Sequence, residues 1–144
     1  MGRKNNMVQD DIRMLEFTQR GDERGHLVVV EGMQDIPFEI KRTYWIYDVP
    51  GGEERGGHAF KENQEMVIAL SGAFDVVVDD GTTKKTFNLN RSYYGLYIPA
   101  GLWRTMENFS TNSLALEFGS THYDVNDYVR DYDEFLKMKN DGKI

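Results

Sequence analysis

Cysteine is absent from this 144-residue chain. That excludes disulfides and thiolate zinc sites, and makes a reducing compartment, the cytoplasm, the expected home. No run of about 18 apolar residues occurs, so no membrane-spanning helix is expected. The start, Met1-Gly2-Arg3-Lys4-Asn5-Asn6, is polar with no apolar stretch behind it. A secretory signal is therefore not expected, and residues 1–7 read as a disordered or tag-like N-terminus. Positive charge is also short: 17 Lys and Arg against 24 Asp and Glu leave a net charge of −7, without the basic footprint of a nucleic-acid binder. Histidine occurs only at His26, His58 and His122, too thinly for a metal-dependent oxygenase. The length suits one domain, residues 1–144, with a core that needs no staples.

What the chain does have is a series of short segments rich in aromatic and β-branched residues, each bounded by turn formers. Val8 to Phe17 opens with a short strand. Further strands are expected at His26–Glu31, Ile40–Asp48, Gly57–Lys61, Glu65–Ser71, Ala73–Asp79, Lys84–Leu89, Tyr93–Ile98, Trp103–Phe109 and Ser113–Phe118. This pattern predicts an all-β sandwich or barrel. Only Asn126–Lys139 has helical spacing, with Tyr128, Val129, Tyr132, Phe135 and Leu136 on one stripe and Asp124 or Asn126 as the cap.

Two motifs carry the chemistry. Arg55-Gly56-Gly57-His58-Ala59-Phe60-Lys61 precedes the apolar run Met66–Leu70, the Ser71-Gly72 turn and a strand ending at Asp79-Asp80-Gly81. Pro99-Ala100-Gly101-Leu102-Trp103-Arg104-Thr105-Met106-Glu107-Asn108 follows later. They resemble the two sequence motifs of the cupin barrel, a double-stranded β-helix or jelly roll. In such barrels histidines one residue apart share a strand face and grip a metal. Here Phe60 stands at the second histidine position and Arg104 at the histidine of the second motif. Phenylalanine has no lone pair to offer, and an arginine repels a cation and attracts an anion. The expectation is a site without metal or cofactor, built for an anionic ligand, with His58 as a free acid/base.

The resemblance narrows further. Arg24-Gly25, Ile36-Pro37-Phe38, Lys41–Tyr47, Arg55–Ala59, Ser71–Val76, Asp79–Gly81, Gly95–Ile98, Trp103–Met106 and Tyr123–Tyr128 together resemble the TDP-4-keto-6-deoxyglucose 3,4-ketoisomerases. These small cupins make precursors of deoxyamino sugars for bacterial surface glycans. The resemblance covers nearly all of Arg24–Phe135. It implies that His58 is the catalytic base, that Tyr44 assists proton movement, and that the partner is a TDP-linked sugar. It also implies a homodimer whose subunits exchange N-terminal strands. Phe60 is a departure, since a second histidine is usual there.

The residues suit that chemistry. Moving a ketone from C-4 to C-3 removes the C-3 proton, passes through an enediol, and returns a proton to C-4. A neutral imidazole can take the carbon-bound proton, and a phenol can pass a proton between the two oxygens. Tyr44 and His58 are expected on neighbouring strands, joined through Pro50-Gly51-Gly52. Arg24, Arg42, Arg55, Lys61 and Arg104 are the candidates for the diphosphate, Arg104 foremost because it replaces an inward ligand. His26 and His122 read as structural or surface residues. A non-catalytic nucleotide-sugar-binding cupin and a sugar 3,5-epimerase are the alternatives, the latter disfavoured because no His–Asp pairing is evident.

Overall fold

Alternating inward and outward side chains allow two sheets to close over a shared core. The computed structural model describes residues 11–144. Its strands are β1 (Arg13–Glu16), β2 (Gln19–Asp22), β3 (Gly25–Val28), β4 (Arg42–Tyr47), β5 (Arg55–Phe60), β6 (Glu65–Ser71), β7 (Phe74–Asp79), β8 (Lys84–Leu89), β9 (Tyr94–Ile98), β10 (Trp103–Glu107), β11 (Leu114–Gly119) and β12 (Tyr128–Val129). One five-stranded sheet has the order β1-β9-β6-β11-β4, and the other β12-β5-β10-β7-β8. Strands β2 and β3 form a separate hairpin. The architecture is the all-β jelly roll. Inward residues of both sheets, among them Val67, Phe74, Val76, Leu96, Met106 and Ala115, make the central core. Phe17, Ile36 and Phe38 cover the outer face of the first sheet. Among the described residues no helix is long and apolar enough to cross a membrane.

Most expected strands appear within a residue or two of their anticipated limits; Val8–Asp10 lie outside the described residues, as does the anticipated loose N-terminus, residues 1–7. The strand expected at His26–Glu31 ends at Val28 and is one arm of the hairpin, whose other arm, β2, was not anticipated.

The C-terminal region needs a larger correction. Helix α1 spans Tyr132–Asn140, not Asn126–Lys139. Asp124 does cap, but it caps a single 3-10 turn, Val125–Asp127. The chain then extends as β12, pairing Tyr128 with Phe60 and Val129 with Ala59. A second cap follows, Asp131, whose side chain accepts from the Asp133 amide. The stripe is nonetheless real. Val129 and Phe135 are buried together against Ala59, with Tyr132 and Leu136 packed beside them. A strand followed by a helix thus presents one apolar surface, which helical spacing alone imitates.

Candidate active site

In β5 alternate residues point inward, which turns His58 and Phe60 into the lumen together. His58 is only 8 % exposed. Its ring meets the edges or faces of Phe60 at 4.7 Å and Tyr128 at 5.0 Å. Nε2 is buried with no hydrogen-bond partner. Burial, reinforced by the nearby guanidinium of Arg104 and, less strongly, those of Arg130 and Arg42, pulls the His58 pKa down to about 3 against the opposing pull of Glu65. The imidazole is therefore neutral at physiological pH, with a ring nitrogen free to take a proton.

Opposite β5 the lumen is charged. Tyr44 Oη donates to Glu65 Oε2 at 2.7 Å. Arg104 reaches across from β10, donating through Nε to Glu65 Oε1 at 2.9 Å and through Nη2 to Glu65 Oε2 at 2.5 Å and Glu117 Oε1 at 2.8 Å. Arg104, Glu65 and Glu117 are all essentially inaccessible. Since β10 belongs to one sheet and β6 and β11 to the other, this ion cluster ties the two sheets together through the lumen. Arg104 also donates to the Gly56 carbonyl at 3.3 Å. A Cβ at Gly56 would stand 1.8 Å from Arg104 Nη1, and Gly56 has φ +71°. Both the close approach and the left-handed backbone call for glycine.

A cleft of about 490 Å³ opens onto these groups, lined among others by Tyr44, Arg55, His58, Arg104, Glu117 and Arg130. Four of the seven residues singled out in the sequence thus share one cavity. Arg42 lies beside it, its Nη1 donating to Tyr128 Oη at 3.3 Å and its guanidinium within 6 Å of the rings of Tyr44, Phe60, Tyr123 and Tyr128. The chain does not bring Arg24 or Lys61 to the cleft. Arg24 is in the exposed β2–β3 turn, paired with Asp22 at 2.6 Å, and Lys61 is exposed just beyond β5.

Two expectations change. Tyr44 and His58 are not on neighbouring strands, because β4 and β5 belong to different sheets. The segment between them, with left-handed Asp48 and a turn closed by the Glu53 amide on the Pro50 carbonyl, carries the chain from one sheet to the other. Arg104 does face inward, but the anions it meets are the protein's own carboxylates. Its cationic donors are spent largely on Glu65 and Glu117, which leaves Arg55 and Arg130 in the cleft and Arg42 beside it as guanidiniums without a carboxylate partner among the described residues.

Sequence reasoning missed Glu65, Glu117, Tyr128 and Arg130. The two glutamates had a signal: each occupies the inward phase of a strand whose other inward residues are apolar, Val67 and Ala69 in β6 and Ala115 in β11. A charge in that phase needs a buried partner. Arg130 had no signal, since its segment read as helix. His26 and His122 are exposed. Among the described residues no group of three or more histidines and carboxylates is gathered as a metal would require.

Over residues 10–140 the chain matches the family model described as FdtA: WxcM-like, C-terminal. It is 38% identical over 125 residues to the TDP-4-oxo-6-deoxy-alpha-D-glucose-3,4-oxoisomerase of Aneurinibacillus thermoaerophilus, covering 87% of this chain and 90% of that one. The chain belongs to the WxcM-like FdtA family. Among solved structures, this family member is similar to a 3,4-ketoisomerase from Helicobacter canadensis at 44% identity and TM-score 0.88, covering 90% and 98% of the two chains. It is equally similar in shape, TM-score 0.88 at 33% identity with 90% and 94% covered, to a mutant of the 3,4-ketoisomerase QdtA from Thermoanaerobacterium thermosaccharolyticum in complex with TDP-4-keto-6-deoxyglucose. Like these relatives the FdtA-family chain is an isomerase, and the alternatives of a binding protein or a 3,5-epimerase give way.

Proposed function

We propose that this isomerase moves the keto group of a TDP-4-keto-6-deoxyhexose from C-4 to C-3, with His58 as the base. The observation that carries the reading is a neutral, unpartnered His58 opening onto the same cleft as Tyr44. His58 takes the proton from C-3 while the bond electrons form the enediol and the C-4 oxygen is protonated. The C-3 hydroxyl proton leaves as that oxygen becomes the ketone, and His58 returns its proton to C-4. Tyr44, which lines the same cleft, relays the proton between the two oxygens. Arg55, Arg130 and Arg42 supply the charge for the diphosphate. An arriving dianion also offsets the guanidinium field on His58, raising its basicity once substrate is bound.

No metal takes part on this reading, since Phe60 and Arg104 fill two ligand positions. The working compartment is the cytoplasm. The assembly is a homodimer: an isolated two-stranded hairpin is marginal in water, and β2–β3 leaves Leu27 and adjoining Val29 more than half exposed, as are Trp45 and Tyr47 on the edge strand β4. An exchange of hairpins would cover both.

The test is incubation with TDP-4-keto-6-deoxyglucose in deuterated water, followed by NMR. A new 3-keto sugar supports the proposal, with deuterium at C-4 where the protonated base exchanges with solvent and protium where it returns its proton directly. Unchanged substrate without exchange at C-3 overturns it.

A further inference from the structure

The buried cluster holds more carboxylates than cations. Among the described residues Arg104 is the only guanidinium that Glu65 and Glu117 contact, and the two carboxylates share its Nη2. Tyr44 enters the cluster as a neutral donor. His58, the direct strand partner of Arg104, is held neutral by burial, and Arg42, next along β4 on the inward face, is bound to Tyr128 instead. If both glutamates were ionised, a full negative charge would be left on buried side chains at a cost of several kcal/mol. One atom marks where the excess is resolved. Glu117 Oε2 is buried and receives no hydrogen bond, whereas both oxygens of Glu65 accept.

We propose that Glu65 and Glu117 hold one proton between them, resident on Glu117, and that this keeps Glu65 available as the carboxylate partner of Tyr44. The inference rests on the isomerase reading for its kinetic part only. Tyr44 spends its single donor on Glu65, so towards the cleft its oxygen is free only to accept. Accepting a hydroxyl proton from the sugar therefore requires Tyr44 to pass its own proton to Glu65, and donating to the sugar reverses both transfers. The tyrosine and Glu65 act as a two-atom relay with no net proton gain. Glu117, whose buried Oε2 accepts nothing, acts here as a positioning residue, a neutral acid that leaves Arg104 to balance Glu65 alone. The electrostatics agree in direction: burial, above all, and the charge of Glu65 push Glu117 up against the pull of Arg104, while Glu65, against its own burial, is held down by Arg104.

The test separates the two claims. Infrared spectra of the ligand-free protein should show a protonated-carboxyl stretch at neutral pH that disappears on alkaline titration and is missing in Glu117→Gln at neutral pH. This needs no catalysis, so it stands even if the sugar reading fails. In turnover, Glu117→Gln, which imitates the neutral acid, should impair kcat at neutral pH far less than Glu65→Gln does and should lack the alkaline fall in kcat expected of the parent. Glu65→Gln should lower kcat by about 10² or more with KM little changed. An absent stretch in the folded parent overturns the proposal, as does a Glu117→Gln variant, folded by circular dichroism, that is as impaired as Glu65→Gln.

Discussion

The interior of this barrel is two environments on the same strands. Inward positions of β6 run Glu65, Val67, Ala69; those of β11 include Ala115 and Glu117; β10 has Arg104 and Met106. In each case one charged residue is followed or preceded by hydrocarbon in the same phase. The apolar part is held by contact with neighbours on all sides and tolerates exchange among similar shapes. The charged part is held by a closed set of partners, so every member depends on the others. Stability is spread over one region, and chemistry concentrated in the other.

The difference is broken most severely at His58. His58→Asn should lower turnover by about 10⁴, the upper end for a positioned base, while TDP affinity measured by calorimetry stays near the parent value. The same variant checks the pH logic. The His58 pKa is depressed from 6.5 to about 3, so between those values the unfolded chain takes up a proton that the folded one refuses. Stability should fall as pH drops through this window, by up to about 1.4 kcal/mol per unit. The fall between about 6.5 and 4.5 should be shallower in His58→Asn, read from urea midpoints.

Next in size is Arg104→Met, which keeps the volume and removes the cation. The charge of Glu65 is then buried beside Glu117 with no counterion, and a loss of about 3–5 kcal/mol is expected in urea denaturation. Leu96→Ala, in the apolar part, should cost about 2–4 kcal/mol through its cavity, yet leave kcat per folded molecule nearly intact. Equal loss of kcat in both variants would erase the distinction between the two environments.

Strand-by-strand alternation made the fold legible, because a half-buried strand writes its two faces into every second residue. His58 and Tyr44 were legible because the motif around each is local. What local reading could not reach were relations between sheets. The bond from Arg104 to Glu65 spans 39 positions in sequence, and nothing near Arg104 announces that its anion is internal. The same limit explains the C-terminal misreading. Val129 and Phe135 meet the same patch around Ala59, so tertiary burial, not helical phase, set their spacing.

The smallest expected effect lies at the border of the two environments. Phe60 packs edge-on against His58 and Tyr128, at 4.7 and 4.6 Å, and lies 5.4 Å from the Arg42 guanidinium. It belongs to the hydrocarbon by chemistry and to the site by position. Phe60→His would set a polar ring atom against the imidazole and lessen its desolvation, the largest cause of its low pKa. The His58 pKa should rise towards its ordinary value. Because the base works only when unprotonated, the acid limb of kcat/KM should move to higher pH, with the rate at neutral pH changing less than about tenfold. Stability should fall by about 1–2 kcal/mol, the cost of a buried polar atom with an imperfect partner. An acid limb that does not move would mean that the cationic surroundings, rather than the aromatic packing, set the basicity of His58, and Arg130→Gln would then shift the limb where Phe60→His does not.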